Sequence, residues 1–515
     1  MSGRTLALVI FGVLVVGGMA MAWYAGRRQQ DAAEYWSAGG GISPRQNALA
    51  TVGDFLSGSS LLGGVGLLFL FGLDGGFYLL LPVLAWIPVM LLIAERMRNL
   101  GRFTMSDVMA RRFAARGVRT SLAVSTLVIS GVYLLAQMVV MGNLFTLLSG
   151  LPYNAAVVII GVVMIFYVAV GGMRATTLIQ AAKAVLLLGV LVLLSVLLVV
   201  RFGGDVGAVI SAATKPAGGV NPLAPGNLLK NKWDLVTVGL ALTFGVAGLP
   251  HVMMRFFTVP SAKEARRSVS LTVWIIAVST VLIAFVGLGA GALLRQQTTK
   301  LAATGGNLVT PRLGEVLGGG EGTFGGAVVL GIVSAISFAT VVAVVSGLLL
   351  NAASTIVRDL ITRRPGPAGA DTSSEVSRGR LASVGVGVVV VLLAIVLGRG
   401  SNATQLVTLA FGVAASANFP VLLLTLTWRR LTDLGAVVGI LLGVVTSVVV
   451  MALGPLWPGH VPVISLAGPV VVAMPLALLG AVVGSLLSAR RTETESFDHL
   501  LVESELGRKA PTAGL

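Results

Sequence analysis

Long apolar stretches separated by short polar segments recur along almost the whole chain. A helix needs about 20 mostly apolar residues to cross the hydrocarbon core of a bilayer. By this rule the pattern predicts an all-α integral membrane protein with about thirteen transmembrane helices. The predicted spans cover approximately residues 5–24, 47–71, 76–95, 120–148, 153–172, 177–200, 236–257, 269–294, 325–356, 381–398, 403–427, 433–453 and 465–488.

The composition favours lipid as the solvent for this surface. Of the 515 residues, 56% are hydrophobic and 11% are charged, whereas a soluble domain carries roughly 25% charged residues. The formal net charge of +16 is explained by basic loops on one side of a membrane. The sequence has no module of aromatic and basic residues for nucleic acid. We therefore expect the lipid bilayer, and no nucleic acid, as a partner.

Lysine and arginine are distributed unevenly between alternate loops, which predicts the orientation. With the N-terminus outside, the inner segments hold about 25 of the 36 basic residues, two lie within spans (Lys183 and Arg255), and nine face outward. The segment 95–119 alone holds seven arginines. This bias predicts a multi-pass protein of the cell (plasma or inner) membrane with a cytoplasmic C-terminus.

The first apolar run has two interpretations. Residues 6–24 have the length of a secretory signal, and Ala20-Met21-Ala22 resembles a cleavage site. Arg27 and Arg28 follow the run, which suits a helix anchored with its N-terminus outside. We expect a retained transmembrane helix.

Outside the spans, the chain has no segment long enough for a soluble domain. Residues 1–490 are predicted to form a single transmembrane transporter domain, with core repeats at about 47–200 and 236–453. The inner stretch 359–379 has the composition of a flexible linker, and residues 491–515 form a short cytoplasmic tail.

The inventory of reactive side chains excludes most enzymes. Cysteine is absent, and His251, His460 and His499 lie far apart with no zinc spacing. The sequence shows no nucleophile motif and no convergent set of titratable groups. A channel would show repeated pore loops and a sensor a soluble output domain, and neither is evident. We therefore predict no enzyme activity, no cofactor and no obligate protein partner.

Asp54, in the second span, is the clearest charged residue within a predicted helix. Charges in a bilayer are costly and mark functional sites by default. A helix rich in glycine and hydroxyl residues can unwind, which exposes carbonyls to a cation and N–H groups to an anion. The alternative is packing of small residues between helices, with Asp54 near the inner interface. The glycines and serines around Asp54 are Gly53, Ser57, Gly58, Ser59, Ser60, Gly63 and Gly64.

A second interruption is predicted in the seventh span, over residues 243–251. Pro250 removes a backbone donor, and nearby glycines permit the resulting geometry. The freed N–H groups can face the interior, where a carboxylate could bind. Arg255 is either a gate or a snorkelling anchor, and His251 is either structural or a proton carrier.

The two interruptions open two blocks of five predicted spans, the second to sixth and the seventh to eleventh. Paired broken helices in corresponding halves are the best sequence indication of a transporter site. Gln137 and Asn418 can either contact a solute or hydrogen-bond a neighbouring helix, and Asn351 can hydrogen-bond a neighbouring helix. Lys183 is expected to snorkel toward the inner interface.

Several segments resemble the sodium/solute symporter family, and within it most closely the cation/acetate symporter (acetate permease) branch. The resemblance runs from about residue 8 to 490. The most specific segment is GLPHVMMRFFTV. The segments are GGGI (39–42), ERMRNLGRFTMSDV (95–108), GLPHVMMRFFTV (248–259) followed by AKEARRS (262–268), and ANFPVLLLTLTW (417–428).

The resemblance implies a LeuT-type fold, in which two inverted repeats of five helices form the core. It also implies alternating access, with a short monocarboxylate such as acetate, propionate or pyruvate bound at mid-membrane. Arg255 and Pro250 are the gating candidates. The candidate substrate-binding residues are Ser57, Ser59, Ser60, Gln137, Phe244, Gly248, His251 and Asn418.

The family's sodium site combines carbonyls of the first core helix with adjacent hydroxyls of the eighth. Matching the first helix points to the carbonyls of Gly53 and Leu56, but the hydroxyl pair falls on Ala343 and Val344, which are both apolar. Either Thr340 or Ser346 could substitute, or the coupling ion is H+ with Asp54 as its carrier. The coupling ion is therefore expected to be Na+ or H+. The candidate cation-binding residues are Gly53, Asp54, Leu56, Thr340, Ala343 and Ser346.

The predicted function is cation-coupled uptake of short-chain monocarboxylates. The main alternative is a symporter of the same fold for proline, urea or a sugar. The small side chains around both interruptions favour a compact solute over a sugar, which needs many hydrogen bonds. A channel or a sensor is a more distant alternative.

Overall fold

The computed structural model describes residues 3–26, 41–101, 104–113, 115–170, 173–215, 221–361, 372–455, 463–488 and 494–507. These residues form helices and no β-strand, which confirms the predicted all-α class. Arg27 and Arg28, and residues 362–371 of the predicted linker, lie outside the described residues. The remaining linker residues, 359–361 and 372–379, are helical, which corrects the prediction of a flexible segment over all of 359–379.

The described residues contain 22 α-helices of four or more residues. They are α1 (Gly3–Gly26), α2 (Pro44–Phe55), α3 (Val65–Phe71), α4 (Leu73–Leu84), α5 (Ala94–Leu100), α6 (Met105–Met109), α7 (Arg116–Ser149), α8 (Tyr153–Val170), α9 (Met173–Arg201), α10 (Val206–Thr214), α11 (Lys232–Phe244), α12 (Pro250–Met253), α13 (Ala262–Leu293), α14 (Thr298–Ala302), α15 (Val309–Leu317), α16 (Phe324–Ser354), α17 (Thr372–Leu397), α18 (Ala403–Val413), α19 (Phe419–Thr427), α20 (Asp433–Leu453), α21 (Val470–Leu487) and α22 (Thr494–Leu506).

Several spans contain a π-helical segment, in which hydrogen bonds reach one residue further than in an α-helix. The π segments are Ser59–Gly64, Val89–Ile93, Thr355–Ile361 and Ala414–Asn418.

Nine helices within the described residues are long and apolar enough to cross a membrane. A tenth span results if the bent pair Pro44–Phe55 and Ser59–Phe71 is counted as one. Helix α8 and the interrupted segment 232–258 also lie where spans were predicted. The chain is therefore a multi-pass membrane protein, and the total of thirteen spans stays a prediction.

The helices divide into a buried centre and a lipid-facing shell. In its most apolar window, the span Ala403–Thr427 is 94% buried, whereas Ser377–Leu397 is only 28% buried. The shell exposes large apolar side chains, including Phe166, Val281 and Val396. Such a surface needs a hydrocarbon solvent, whereas the buried helices α2, α7, α16 and α18 are free to carry polar groups toward one another.

The two ends of the bundle differ in character. The glycine-rich face is formed by residues 221–231 and 294–323. Asp74 binds the first of these segments. Its carboxylate accepts hydrogen bonds from the backbone N–H groups of Gly226, Leu228 and Leu229 at 3.2, 2.6 and 2.9 Å. The arginine-rich face, formed by residues 96–101, 104–113, 115–119, 258–267, 428–432 and 494–507, lies at the opposite ends of the same helices.

Arg112 organises the arginine-rich face. Its guanidinium donates to backbone carbonyls at the C-terminal end of α19 and in the loop that follows. The last carbonyls of a helix lack partners within it, although the carbonyls of Leu424 and Trp428 also accept backbone N–H groups here. A guanidinium presents several donors in a fixed fork and can reach the whole set. Burial lowers the pKa of Arg112 to about 10, so the side chain remains charged at neutral pH. The acceptors are the carbonyls of Leu424, Thr425, Trp428, Arg429 and Leu431, at 2.5–3.4 Å.

The C-terminal helix α22 lies across the same face. Arg96 pairs with Glu505 at 2.7 Å, and Arg429 pairs with Asp498 at 2.5 Å. Phe497 is buried and lies 4.7 Å from the guanidinium carbon of Arg112. The helix therefore joins the end of α5 to the loop between α19 and α20.

Replacing Arg112 tests its role at this face. We expect Arg112→Ala to lower the apparent melting temperature of the detergent-solubilised protein, because each buried carbonyl that loses its donor costs about 1–3 kcal/mol. The melting temperature of Arg112→Lys should lie between those of the wild type and Arg112→Ala, because an ammonium keeps the charge but lacks the fixed fork of donors that a guanidinium presents. Arg116→Ala, at an exposed arginine four residues away, is the matched control. Equal melting temperatures for the two alanine variants would contradict this role.

Candidate functional site

The first predicted interruption is present in the structure. Helix α2 ends at Phe55, Leu56 has an extended backbone with ψ of 94°, and the chain resumes as the π segment from Ser59. The two halves are bent by 55°. The hydroxyls of Ser57 and Ser59 are hydrogen-bonded to each other within the interruption. The prediction of an unwound second span is confirmed.

Side chains of neighbouring helices satisfy the carbonyls of the π segment. Thr404 donates to the carbonyl of Ser59 at 2.7 Å, and Thr310 donates to that of Leu61 at 2.7 Å. The Asn402 amide donates to the carbonyl of Gly63 at 3.0 Å. No water is available in a bilayer core to replace these donors, so these side chains are needed to hold the break open.

The second predicted interruption is present as well. Helix α11 ends at Phe244, a single 3₁₀ turn covers Val246–Gly248, and Leu249 is extended with ψ of 113°. Pro250 then occupies the first turn of α12, where its missing N–H costs nothing. The interruption continues in a further 3₁₀ segment, Met254–Thr258.

This second interruption packs against the π segment Ala414–Asn418, which the sequence did not predict. A Cβ atom on Gly248 would lie 2.4 Å from the carbonyl oxygen of Ala414, so only glycine permits this approach. The Asn418 amide donates to the carbonyl of Gly248 at 2.9 Å and accepts a hydrogen bond from Ser125 at 2.6 Å. Gly248 and Asn418 thus bind each other.

A small cavity of about 40 Å³ lies beside the first interruption. A water-sized group needs roughly 10–15 Å³ on this measure, so the cavity holds about three such groups. Its walls are mostly apolar, with hydroxyl groups from the π segment and from four α-helices. The lining residues are Phe55, Leu56, Ser59, Ser60, Tyr78, Leu79, Pro82, Tyr133, Leu242, Thr280, Ile283, Thr404, Val407, Thr408 and Phe411.

A larger cavity of about 710 Å³ opens nearer the glycine-rich face. Tyr78 lines both cavities, and the lining of the larger one also includes Leu229, Asn231 and Gln405. The small cavity is therefore adjacent to an open vestibule on the glycine-rich side.

A buried ion pair joins the two interrupted helices. The Arg255 guanidinium contacts the Asp54 carboxylate, and both side chains are only 2% exposed. Gln180, on α9, donates to the other carboxylate oxygen and accepts a hydrogen bond from Arg255. Thr177 accepts a further hydrogen bond from Arg255 at 2.7 Å. Both oxygens of Asp54 are thus occupied by protein donors.

Arg255 lies between the small cavity and the arginine-rich face. Four residues further along, the carbonyl of Val259 accepts a hydrogen bond from Arg98 of that face at 2.6 Å. The prediction left Arg255 open as a gate or a snorkelling anchor, and its burial at an ion pair shows that it does not extend to the interface.

Lys183 is also buried, which corrects the prediction that it snorkels to the interface. The side chain is 2% exposed, and its ammonium donates to the carbonyl of Gly53. Gly53 can lie this close to α9 because it has no Cβ atom. A Cβ at this position would lie 2.4 Å from the carbonyl oxygen of Gln180. The unwound helix supplies the acceptor that water would otherwise provide.

Of the predicted cation-binding residues of α16, Ala343 contacts the same cluster and Ser346 contacts Ala343. The carbonyl of Ala343 accepts hydrogen bonds from Gln180 at 3.1 Å and from Ser346 at 2.7 Å. The Thr340 hydroxyl is buried without a partner among the described residues. Of the predicted set, Leu56 lines the small cavity.

Two predicted substrate residues have unpaired polar groups. The amide of Gln137 and both ring nitrogens of His251 are buried with no hydrogen-bond partner in the described part of the chain. The amide oxygen of Gln137 would lie 3.5 Å from a Cβ on Gly58, which places Gln137 at the first interruption. The His251 ring packs edge-on against Tyr133. Buried polar groups without partners are rare and need an explanation.

The remaining substrate candidates take different positions. Ser59 and Ser60 line the small cavity, and Ser57 lies behind them. Phe244 stacks on Phe419 with ring centroids 5.0 Å apart. Phe244 is not among the residues that line the cavity.

Sequence reasoning missed Thr177, Gln180 and Tyr133. The signal for the first two was available, because Thr177, Gln180 and Lys183 repeat every three residues and therefore share one face of α9. Tyr133 gives no such signal, since an aromatic residue in an apolar span is ordinary. Its position one turn from Gln137 on α7 places both on the face that lines the site.

Two interrupted helices around a small buried cavity, within an all-helical membrane bundle, define a secondary active transporter. The chain belongs to the sodium:solute symporter family, which matches residues 35–443. It is 38% identical over 511 residues to the Uncharacterized symporter YwcA of Bacillus subtilis (strain 168), with 97% of this chain and 98% of that protein covered. The prediction of a symporter, and not an enzyme, is confirmed.

Solved structures share the fold at low sequence identity. A Na+-coupled sialic acid symporter, in a substrate-bound outward-open state, matches with a TM-score of 0.74 and 17% identity, covering 94% of this chain and 98% of that chain. Mhp1 in an inward-facing conformation matches with a TM-score of 0.50 and 14% identity, covering 88% of this chain and 94% of that chain. These matches confirm the predicted LeuT-type fold.

The ion pair between the interrupted helices should contribute strongly to stability. We expect Asp54→Asn or Arg255→Gln to destabilise the protein by about 3–5 kcal/mol, because each leaves one buried group without its partner. The double variant should recover part of this loss. A double-mutant cycle on the apparent melting temperature measures the coupling. Arg429→Gln and Asp498→Asn, at an exposed pair, form the control cycle, with an expected coupling of about 0–1 kcal/mol. Equal coupling in both cycles would contradict the role assigned to the buried pair.

The close approach at Gly248 gives a separate prediction. Gly248→Ala places a methyl group against the Ala414 carbonyl, so the interruption has to shift and transport should fall sharply. Gly239→Ala, on α11 of the same interrupted span, meets nothing within 4 Å and should behave as wild type. Uptake by the two variants, corrected for the amount of folded protein, is the measurement. Similar uptake by both would show that the tight contact is not needed.

Proposed function

We propose that this protein takes up short-chain monocarboxylates, such as acetate, propionate or pyruvate, together with a cation by alternating access. The observation that carries the proposal is a small cavity beside the first interruption, next to a buried cluster of two basic side chains and one acidic side chain. The Gln137 amide at the same interruption has no hydrogen-bond partner among the described residues. The family and the fold support cation-coupled transport, and the solute is inferred from this site.

The size of the cavity favours a small solute. Room for about three water-sized groups matches a carboxylate with a short carbon chain. A hexose is several times larger and needs many polar partners, whereas the lining offers mostly apolar walls and a few hydroxyls. This volume supports the prediction of a compact solute over a sugar.

The charges near the cavity favour an anion. With Lys183 and Arg255 protonated and Asp54 ionised, the buried cluster has one net positive charge. Phe55 and Leu56, the two residues that follow Asp54, line the cavity. A monocarboxylate would balance this excess, whereas urea is neutral and proline is a zwitterion. Buried charge is stable only when it is paired.

The polar contacts follow from these positions. The Gln137 amide and the hydroxyls of Ser59 and Ser60 donate to the carboxylate, with Ser57 behind them. His251 supports Tyr133 from the second interrupted helix, and Gly248 and Asn418 hold that interruption in place. The carbon chain lies against Phe55 and Phe411.

Alternating access uses the two sides of this site. The vestibule on the glycine-rich face is the entrance. The Asp54–Arg255 pair closes the path toward the arginine-rich face, and Pro250 allows the second interrupted helix to bend. With the arginine-rich face in the cytoplasm, as the positive-inside rule predicts, this direction is uptake. The solute and the cation are coupled only if both bind more tightly to the same conformation of the protein.

Uptake into proteoliposomes tests the solute class. Labelled acetate and pyruvate should exchange across vesicles that contain the protein, after subtraction of the leak in protein-free vesicles. Unlabelled propionate should compete, and urea, proline and glucose should not. Competition by a neutral solute but not by propionate would overturn the proposal.

The Gln137 amide provides the residue-level prediction. We expect Gln137→Leu to weaken apparent affinity for acetate by about 10- to 100-fold, because a hydrogen bond to a charged group contributes about 1.5–3 kcal/mol. The fold of this variant should be intact, since the amide has no hydrogen-bond partner among the described residues to lose. Gln297→Leu, near the glycine-rich face and outside the small cavity, is the control. Unchanged affinity for Gln137→Leu would remove this residue from the solute site.

A further inference from the structure

The family resemblance places a sodium ion between the first core helix and the eighth, which are α2 and α16 in this protein. The residues present do not fit that ion. Ala343 and Val344 supply no hydroxyls where the family has two, and the carbonyl of Ala343 already accepts from Gln180 and Ser346. Carbonyl oxygens alone make a poor sodium site, because hard cations take several oxygen ligands.

The carbonyl of Gly53, at the end of α2, has a different partner. It accepts a hydrogen bond from the ammonium of Lys183, which projects from α9. The charged groups that act on this ammonium are Asp54 from α2 and Arg255 from the second interrupted helix. From α16, Gly347 allows Asp54 and Gln180 to approach within 3.0 and 3.2 Å of where its Cβ would be.

An ammonium can perform the structural part of a cation's role here. It is a compact positive charge with three donors, it binds the carbonyl freed by the unwound helix, and it lies near the negative charge of Asp54. Unlike a dissolved ion it is tethered, so it reaches the site without loss of translational freedom.

We propose that the Lys183 ammonium is the resident cation of this site and takes the place of the sodium ion between α2 and α16. The inference rests on the cation-coupled transport of the proposed function, and not on the identity of the solute. It holds for any solute that the transporter carries. A transported cation would then bind at ligands outside the Gly53–Ala343 pair.

The consequence is that removing the side chain should create a cation requirement that the wild type lacks at this site. Lys183→Ala vacates the Gly53 carbonyl and leaves space near Asp54. Sodium, or a small alkylammonium ion such as methylammonium or ethylammonium, can then occupy the vacancy. Lys183→Met fills the space with an apolar chain and leaves no room for an added ion.

Thermal unfolding of the purified protein in detergent tests this without any solute. Wild type and variants are titrated with NaCl, methylammonium chloride and ethylammonium chloride, with choline chloride holding ionic strength constant. We expect Lys183→Ala to unfold at a lower temperature and to be stabilised saturably by sodium or an alkylammonium ion. Wild type and Lys183→Met should lack that added response. Lys263→Ala, at an exposed lysine, should follow the wild type.

Solute exchange provides the second measurement. Exchange of labelled acetate by Lys183→Ala should be lower than wild type and should recover when the stabilising ion is present. A sodium response of the wild type that Lys183→Ala leaves unchanged would overturn the inference, and so would a Lys183→Ala variant that is neither destabilised nor rescued. Absence of acetate exchange by the wild type would count against the proposed solute alone, because the unfolding titration needs no solute.

Discussion

Inside a bilayer, a peptide group that leaves its helix has no water to bind, and the architecture of this protein follows from that constraint. The interrupted helices are stable because side chains from other helices reach the freed carbonyls. Thr310, Asn402 and Thr404 serve the π segment after the first interruption, and Asn418 serves the second. Each of these donors crosses between helices, so the same contacts that allow the breaks also fix the packing of the bundle.

The two interruptions are stabilised by different chemistry. The second is joined to its neighbour by a close backbone approach at Gly248 and by neutral hydrogen bonds. The first ends in a charged cluster in which Lys183, Gln180 and Arg255 surround Gly53 and Asp54. Neutral contacts tolerate small displacements, whereas buried charges lose much free energy when a partner leaves. The charged side of the site is therefore the more rigid, and the solute cavity lies where it meets the more adaptable apolar walls.

The spans and both interruptions could be predicted because they depend on local signals. Apolar length marks a membrane helix, and glycine, serine and proline mark a break. The pairing of polar residues across helices could not be predicted in the same way, because it depends on which faces meet. Lys183 shows the difference: its distance from the span end suggested snorkelling, but the carbonyl that binds it lies 130 positions earlier. The spacing of Thr177, Gln180 and Lys183 indicated a polar face and left its partner undetermined.

The position of α22 has a consequence for how the protein is handled and observed. This helix connects the end of α5 to the loop before α20 through ion pairs that are largely exposed, and such pairs contribute little individually and weaken as salt screens them. A fluorescent protein or affinity tag fused at the C-terminus follows in sequence a helix that contacts two parts of the bundle. Reporters at this end would register attachment and release of the helix as well as any rearrangement of the core, and buffer ionic strength would alter the balance between the two signals.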